Sequence, residues 1–224
     1  MSVHYHAYQS RGYLFTAHEA LCQQWRERFS HYNPQRIASI LKLSYDSEYL
    51  YLSYFQSPYR LRLADGALEK QQKSGWSEDL FFNESMSLYH LLFYTCEHPR
   101  FAGVWIPDTS LNLAATHRNT PPDPLLPPFA KKFTGKTELL ASACARLGGI
   151  PISKGDAGFE FHAFPQIPLR LIFWDAEEDL PAQVQVLFDK YVTDYIHFET
   201  SGCILSDLLE KLEAASLILL PHRK

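Results

Sequence analysis

Four carboxylates crowd into five residues at Asp175-Ala176-Glu177-Glu178-Asp179, directly after the apolar run 169–174. Oxygen-rich clusters of this kind suit hard cations, and a bound Mg²⁺ or Ca²⁺ would polarise a phosphoryl or carbonyl group for hydrolysis. The same pattern also reads as a solvated acidic turn between two sheet elements, with Asp189 before Lys190-Tyr191 capping a helical turn.

The other chemistry-bearing types are weaker signals. His4 and His6 would share one face of a strand, yet no H-E-x-x-H pattern or third ligand accompanies them, and His90, His162 and His197 sit in apolar stretches. Thr134-Gly135-Lys136-Thr137 keeps only the end of a phosphate-binding loop, without the earlier glycine, and reads as a helix start. Ser201-Gly202-Cys203 is not the G-x-S-x-G of a nucleophile elbow, and Ser201 reads as a helix N-cap. Cys22, Cys96, Cys144 and Cys203 form no C-x-x-C pair, so separate, mostly buried thiols are expected rather than a zinc or iron–sulfur site. No metal is firmly implied, and the residues name no cofactor.

An aromatic excess offers a different chemistry. With 15 Phe, 13 Tyr and 4 Trp, side chains such as Tyr54, Tyr59, Phe164 and Trp174 could line a groove for a flat or apolar ligand. Packing of those rings in a sheet core is the plainer reading.

The elements that must position these residues are legible in outline. Thr16-Ala17-His18-Glu19 has capping-box form, and Ala17, Ala20, Leu21, Trp25 and Phe29 then make one apolar helical stripe ending near Asn33-Pro34. A shorter turn of helix is expected over 34–41. Strand formers at 49–55, alternation at 59–63 and the turn residues Asp65-Gly66 predict a hairpin or meander over 49–73. Helices are expected at about 84–97, with Met86, Tyr89, His90, Phe93 and Tyr94 on one side, and at 136–147, stopped by Gly148-Gly149. A last helix, about 201–216, should turn Ile204, Leu205, Leu208, Leu209 and Leu212 inward and Asp207, Glu210, Lys211 and Glu213 outward. Five prolines in residues 119–128 argue against helix and central strand there. The segment 51–61 (Tyr-Leu-Ser-Tyr-Phe-Gln-Ser-Pro-Tyr-Arg-Leu) is echoed by 161–171 (Phe-His-Ala-Phe-Pro-Gln-Ile-Pro-Leu-Arg-Leu).

Several of these residues carry a resemblance. Gly155-Asp156, Phe164-Pro165, Ile167-Pro168-Leu169, Phe173-Trp174, Glu177-Glu178, Leu187-Phe188-Asp189 and Glu199 resemble the C-terminal signature of domain-of-unknown-function family three-seven-eight-six. Upstream, the 34–46 segment, the turn at Asp65-Gly66, the 84–97 helix, Trp105 and the helix closing on Gly148-Gly149 are similar to it too, so the likeness spans about 34–214. The resemblance implies an origin mainly among anaerobic bacteria and archaea, and it implies no activity. It adds Asp156, Asp189 and Glu199 to Asp175, Glu177 and Glu178 as candidate ligand or metal residues.

Composition narrows the classes. A net charge of −4 and a pI near 6.2, with scattered cations, argue against a nucleic-acid partner. The longest apolar stretch, 217–220, is too short for a bilayer, and the N-terminus lacks a signal-peptide pattern, so no membrane partner and a cytoplasmic location are expected. The 224 residues are read as a single domain, 1–224, with sub-lobes at 1–118 and 129–224 as the alternative division. The fold class is α+β: an antiparallel or mixed sheet with flanking helices, open to construction from two similar β-hairpin-plus-helix halves. Three function classes follow: a non-enzymatic small-ligand-binding or accessory module first, then a metal-assisted hydrolase or transferase using the acidic cluster, then a protein-interaction scaffold, homodimer included.

Overall fold

The computed structural model describes residues 14–111 and 123–219. Those residues form six α-helices and two antiparallel sheets, the α+β class expected. They fall into two compact units. One runs through Pro99 and takes back Asp194–Ile196; the other begins at Arg100 and resumes at His197.

The first unit holds α1 (Leu14–Arg28), α2 (Gln35–Leu41), a four-stranded meander and α3 (Phe82–Tyr94). The strands β1 (Tyr49–Tyr54), β2 (Ser57–Arg62), β3 (Leu68–Gln72) and β4 (Gly75–Ser77) pair in chain order. Alternation decides the faces: Leu50, Leu52, Tyr54, Tyr59 and Leu61 are buried, while Tyr49, Tyr51, Arg60 and Arg62 lie on the other side. Trp25 of α1 and Phe29 just after it stack on Tyr89 of α3, with ring centroids 6.4 and 5.5 Å from it. Gly66, at φ +71, makes the expected β2–β3 turn, and any Cβ there would lie 2.1 Å from the Arg26 carbonyl oxygen.

The second unit contains β5 (Trp105–Pro107), α4 (Leu126–Phe133), α5 (Thr137–Arg146), β6 (Ile150–Pro151), β7 (Ala157–Phe164), β8 (Ile167–Trp174), β9 (Gln183–Asp189) and α6 (Thr200–Leu219). Its sheet order is β5-β9-β8-β7-β6. Phe159, Phe161, Leu169, Leu171, Phe173, Val186 and Phe188 point to the helix-covered side and are buried. They form one core with Phe129, Phe133, Leu140, Cys144, Ile204 and Leu208.

Four local expectations are corrected. Helix α1 starts at Leu14, so Thr16 lies in its first turn and does not open it. Pro127 and Pro128 belong to the first turn of α4, where a missing N–H costs no helical hydrogen bond; residues 119–122 of that proline-rich segment lie outside the described residues. On α3, Leu88, Leu91 and Leu92 are buried with Met86 and Tyr89, whereas Phe93 and Tyr94 are 43% and 36% exposed. Asp207 is buried at 4% exposure, not outward, although its five apolar neighbours on α6 are placed as expected.

The internal echo is structural. The β1–β2 and β7–β8 hairpins turn at Phe55-Gln56 and Pro165-Gln166, and they differ in that β7 carries a β-bulge between His162 and Phe164. In each, the fourth residue of the second strand is an arginine laid over a tryptophan two strands away: Arg60 over Trp76 at 4.3 Å, and Arg170 over Trp105 at 3.9 Å. Each also faces a cross-strand glutamate, Glu69 and Glu160 respectively.

Candidate functional site

The acidic candidates are placed by the ends of β8 and β9. Asp175 follows β8, and its carboxylate accepts the Gly135 N–H at 2.9 Å, the Thr137 hydroxyl at 2.9 Å and the Ala176 N–H at 2.8 Å. Those donors, the Gly135 N–H first, hold the Asp175 carboxyl below its ordinary value. The Thr134-Gly135-Lys136-Thr137 turn therefore already holds an anion, supplied by its own chain at the start of α5. Asp156 in turn accepts the Asp175 N–H at 2.7 Å.

Glu177, Glu178, Asp179 and Leu180 are exposed on a tight turn, where Glu177 and Leu180 exchange backbone bonds of 3.1 and 2.6 Å. Glu178 takes φ +40 there. Glu199 stands apart, 3.4 Å from His197 Nδ1. Among the described residues, no three His, Cys, Asp or Glu side chains gather as a metal-ion site. His4 and His6 lie outside the described residues.

Asp189 closes β9 and is only 3% exposed. Its carboxylate accepts three backbone N–H groups: Ala102 at 3.0 Å, Gly103 at 2.7 Å and Tyr191 at 2.9 Å. The Tyr191 bond is the local cap anticipated from sequence. The bonds to Ala102 and Gly103 reach across 87 and 86 residues and clamp the chain leading into β5. Gly103 sits at φ +68, and Lys190 N–H donates to the Val104 carbonyl at 2.9 Å. The clamped segment holds Phe101 and Val104 in solvent at 61% and 47% exposure, with Phe101 edge-on to Trp105 at 6.3 Å.

The aromatic candidates are core residues for the most part. Tyr54, Tyr59 and Phe164 are 0%, 1% and 1% exposed, while Trp174 is 37% exposed at the end of β8. Tyr59 donates its hydroxyl to the buried carboxylate of Glu84 at 2.7 Å, and Lys70 Nζ reaches the same oxygen at 2.6 Å. Ser201, read as a cap, lies within α6 and donates to the Phe198 carbonyl at 2.6 Å.

Sequence reasoning missed two features. Phe101 and Val104 carried no periodic signal, and Gly103 is the cue that the backbone there needs a special conformation. The second is an ionic ring on the outer face of the first sheet. Arg26 bonds Asp65 and, at 2.9 Å, Glu78; Arg62 bonds Asp65 at 2.9 Å, Glu78 at 2.6 Å and Glu69 at 2.8 Å; and Glu69 meets Arg60 at 2.5 Å. Arg62 foremost, then Arg26, holds the Asp65 and Glu78 carboxyls well below their ordinary values.

Fold and site together define an α+β protein with two antiparallel sheets, whose Asp156, Asp175 and Asp189 carboxylates hold backbone in place. No helix among the described residues is long and apolar enough to cross a membrane. The chain belongs to the family described as Domain of unknown function (DUF3786), whose model matches residues 33–208. No curated protein and no solved structure matches the chain.

Proposed function

We propose that the protein is a non-catalytic accessory module that works through protein contact, with residues 101–105 as its contact element. The observation that carries this reading is the Asp189 clamp. A buried carboxylate accepts the Ala102 and Gly103 N–H groups, and the segment it fixes holds Phe101 and Val104 in water. Large apolar side chains that are ordered before binding lose little entropy on docking, and such anchors carry most of the energy of an interface. Lys190, next to the clamp, gives the patch a cationic rim, so the fitting surface is an apolar recess with acidic neighbours.

The test replaces Phe101 with a photo-crosslinking phenylalanine analogue in the full chain. A discrete crosslinked protein partner is expected, identified by mass, and it should disappear when Asp189→Ala releases the clamp. In parallel, Mg²⁺, Mn²⁺, Ca²⁺ and Zn²⁺ are expected to leave Tm unchanged. Absence of any crosslinked partner would overturn the reading. So would an ion-dependent rise in Tm that Asp175→Ala or Glu178→Ala abolishes, which would assign metal chemistry to the acidic turn instead.

A further inference from the structure

We infer that Arg170, laid flat on Trp105, receives a carboxylate of the partner protein, which docks an acidic side chain next to an apolar anchor on the outer face of the five-stranded sheet. This rests on the contact reading above and names the chemistry of what fills it. The ladder registers place the residues. Trp105 pairs with Asp189 and Pro107 with Leu187, while Leu187 pairs with Arg170 and Arg170 with Glu160. Paired residues share a side, as do residues two apart on one strand. Trp105, Leu187, Arg170 and Glu160 therefore stand together on the face opposite the buried Val186 and Phe188. Phe101, 61% exposed, meets Trp105 edge-on with ring centroids 6.3 Å apart. Lys190 and Val104 continue the ladder one step beyond Asp189 and Trp105 and turn to the other face, so the cation serving the Phe101–Trp105 side is Arg170.

Two contacts orient this guanidinium and leave much of it open. Its Nε donates to Glu160 at 2.9 Å, and its central carbon lies 3.9 Å from the centroid of the Trp105 ring. Those contacts fix the plane and one edge of the group, whereas among the described residues neither Nη has an acceptor. The first unit supplies a closed version of the same arrangement. Arg60 lies over two rings, Tyr49 at 3.8 Å and Trp76 at 4.3 Å, and both its Nε and an Nη reach Glu69. Its side chain is 18% exposed, against 30% for Arg170. Tyr49 pairs with Arg62 and Gly158 with Ile172, each partner two residues past the stacked arginine. Gly158 thus takes the position of the second ring, and a glycine cannot close over Arg170.

Charge and shape decide what the open edge takes. Two Nη groups side by side match the two oxygens of a carboxylate in one plane, and an arginine already stacked in place loses little freedom on pairing. Glu160 beside it disfavours a doubly charged phosphate, and a polyanion would meet a chain of net charge −4. Leu187 flanks Arg170 across the ladder, and Trp105 touches both Arg170 and Phe101. Two or three residues of an extended segment, at about 3.3 Å each, therefore bridge from an apolar anchor on Phe101 to a carboxylate on Arg170.

An array of immobilised twelve-residue peptides of random sequence, probed with the purified full chain, tests the inference. Binding peptides are expected to carry Asp or Glu within three residues of an aromatic or large apolar residue, and Phe101→Ser should abolish their binding. For the tightest of them in solution, replacing the acid by its amide should raise Kd at least tenfold with the native chain and less than twofold with Arg170→Gln. Arg170→Lys keeps a charge beside Glu160 but loses the planar fork, so Kd for the acidic peptide should still rise at least threefold. An acid-to-amide loss of equal size in the native chain and in Arg170→Gln overturns the inference, as does selection of peptides without an acid. In both cases the contact reading stands, because Phe101 still carries the binding. If no peptide binds, the inference falls, and the crosslinker at Phe101 decides separately whether the contact reading falls with it.

Discussion

Asp189 and Asp175 show how one residue type does two structural tasks. Each gathers several donors, but Asp189 does so at 3% exposure, where donors left without their acceptor cannot turn to water. Asp189→Asn leaves one carbonyl oxygen and turns an amide NH₂ toward backbone N–H groups. It should lower stability by about 2 kcal/mol or more in urea denaturation, with faster hydrogen exchange at Ala102 and Gly103. Asp156→Asn, whose carboxylate is exposed and takes the Asp175 N–H, should cost under about 1 kcal/mol in the same assay. Equal losses at the two positions would contradict the clamp. Gly66 makes the same point for backbone: its φ of +71 and the 2.1 Å approach to the Arg26 carbonyl leave no room for a methyl group. Gly66→Ala should destabilise by more than about 1 kcal/mol and speed amide exchange along α1; a neutral outcome would mean that α1 is not seated on that turn.

At the scale of elements, the ring of Arg26, Asp65, Arg62 and Glu78 ties α1 to the β2–β3 turn and to the residue after β4. Asp65 and Glu78 have folded-state values depressed chiefly by Arg62. A carboxylate depressed on folding adds stability that is complete above its unfolded range and is lost as pH falls through the folded value. Protection of α1 amides should therefore hold at neutral pH and decline on acidification, and Arg62→Met should flatten that acid dependence. Because Asp65 and Glu78 are 40% and 46% exposed, the effect should be modest and should shrink in high salt. Persistent α1 protection in acid, matching that in Arg62→Met, would show that apolar packing alone seats the helix. None of this ring was legible beforehand, since Arg26 and Glu78 are 52 residues apart and ion pairing leaves no periodic trace. What was legible had a local cause. Alternation at 59–63 gave β2, Asp65-Gly66 gave its turn, and the Leu-rich stripe gave α6. The Phe55-Gln56 turn, with φ of +43 and +62, has no glycine or asparagine to announce it. For the site, Asp189 was singled out, but its partners are backbone N–H groups that belong to no residue type. Its task as a clamp therefore could not be separated from metal binding on sequence alone.

At the scale of the molecule, the two hairpins related by 110 residues carry the same arginine–tryptophan stack and each an arginine–glutamate pair, so each unit repeats one way of covering the outer face of its sheet. Cation–π stacking lets a charged side chain cover an aromatic face while its ion partner keeps it oriented. Each sheet also has an interior with its own reporters. Burial pushes the thiols of Cys144 and Cys203 up to about 12, with Asp207 and Glu199 adding to the effect at Cys203, and burial also raises Cys22, whereas Cys96 is exposed. Thiolate is the reactive form, so at pH 8 an alkylating reagent should modify Cys96 quickly, the half-buried Cys203 slowly because of its raised thiol, and the buried Cys144 only through opening of the second unit. The slow phase should speed up in parallel with urea-induced loss of that unit's structure, and Asp189→Asn should accelerate it by the same factor as it lowers stability. Peptide mapping by mass spectrometry reads each site separately. Rapid native labelling of Cys144, which is 0% exposed between α5 and the sheet, would mean that the core described for the second unit is not closed in solution.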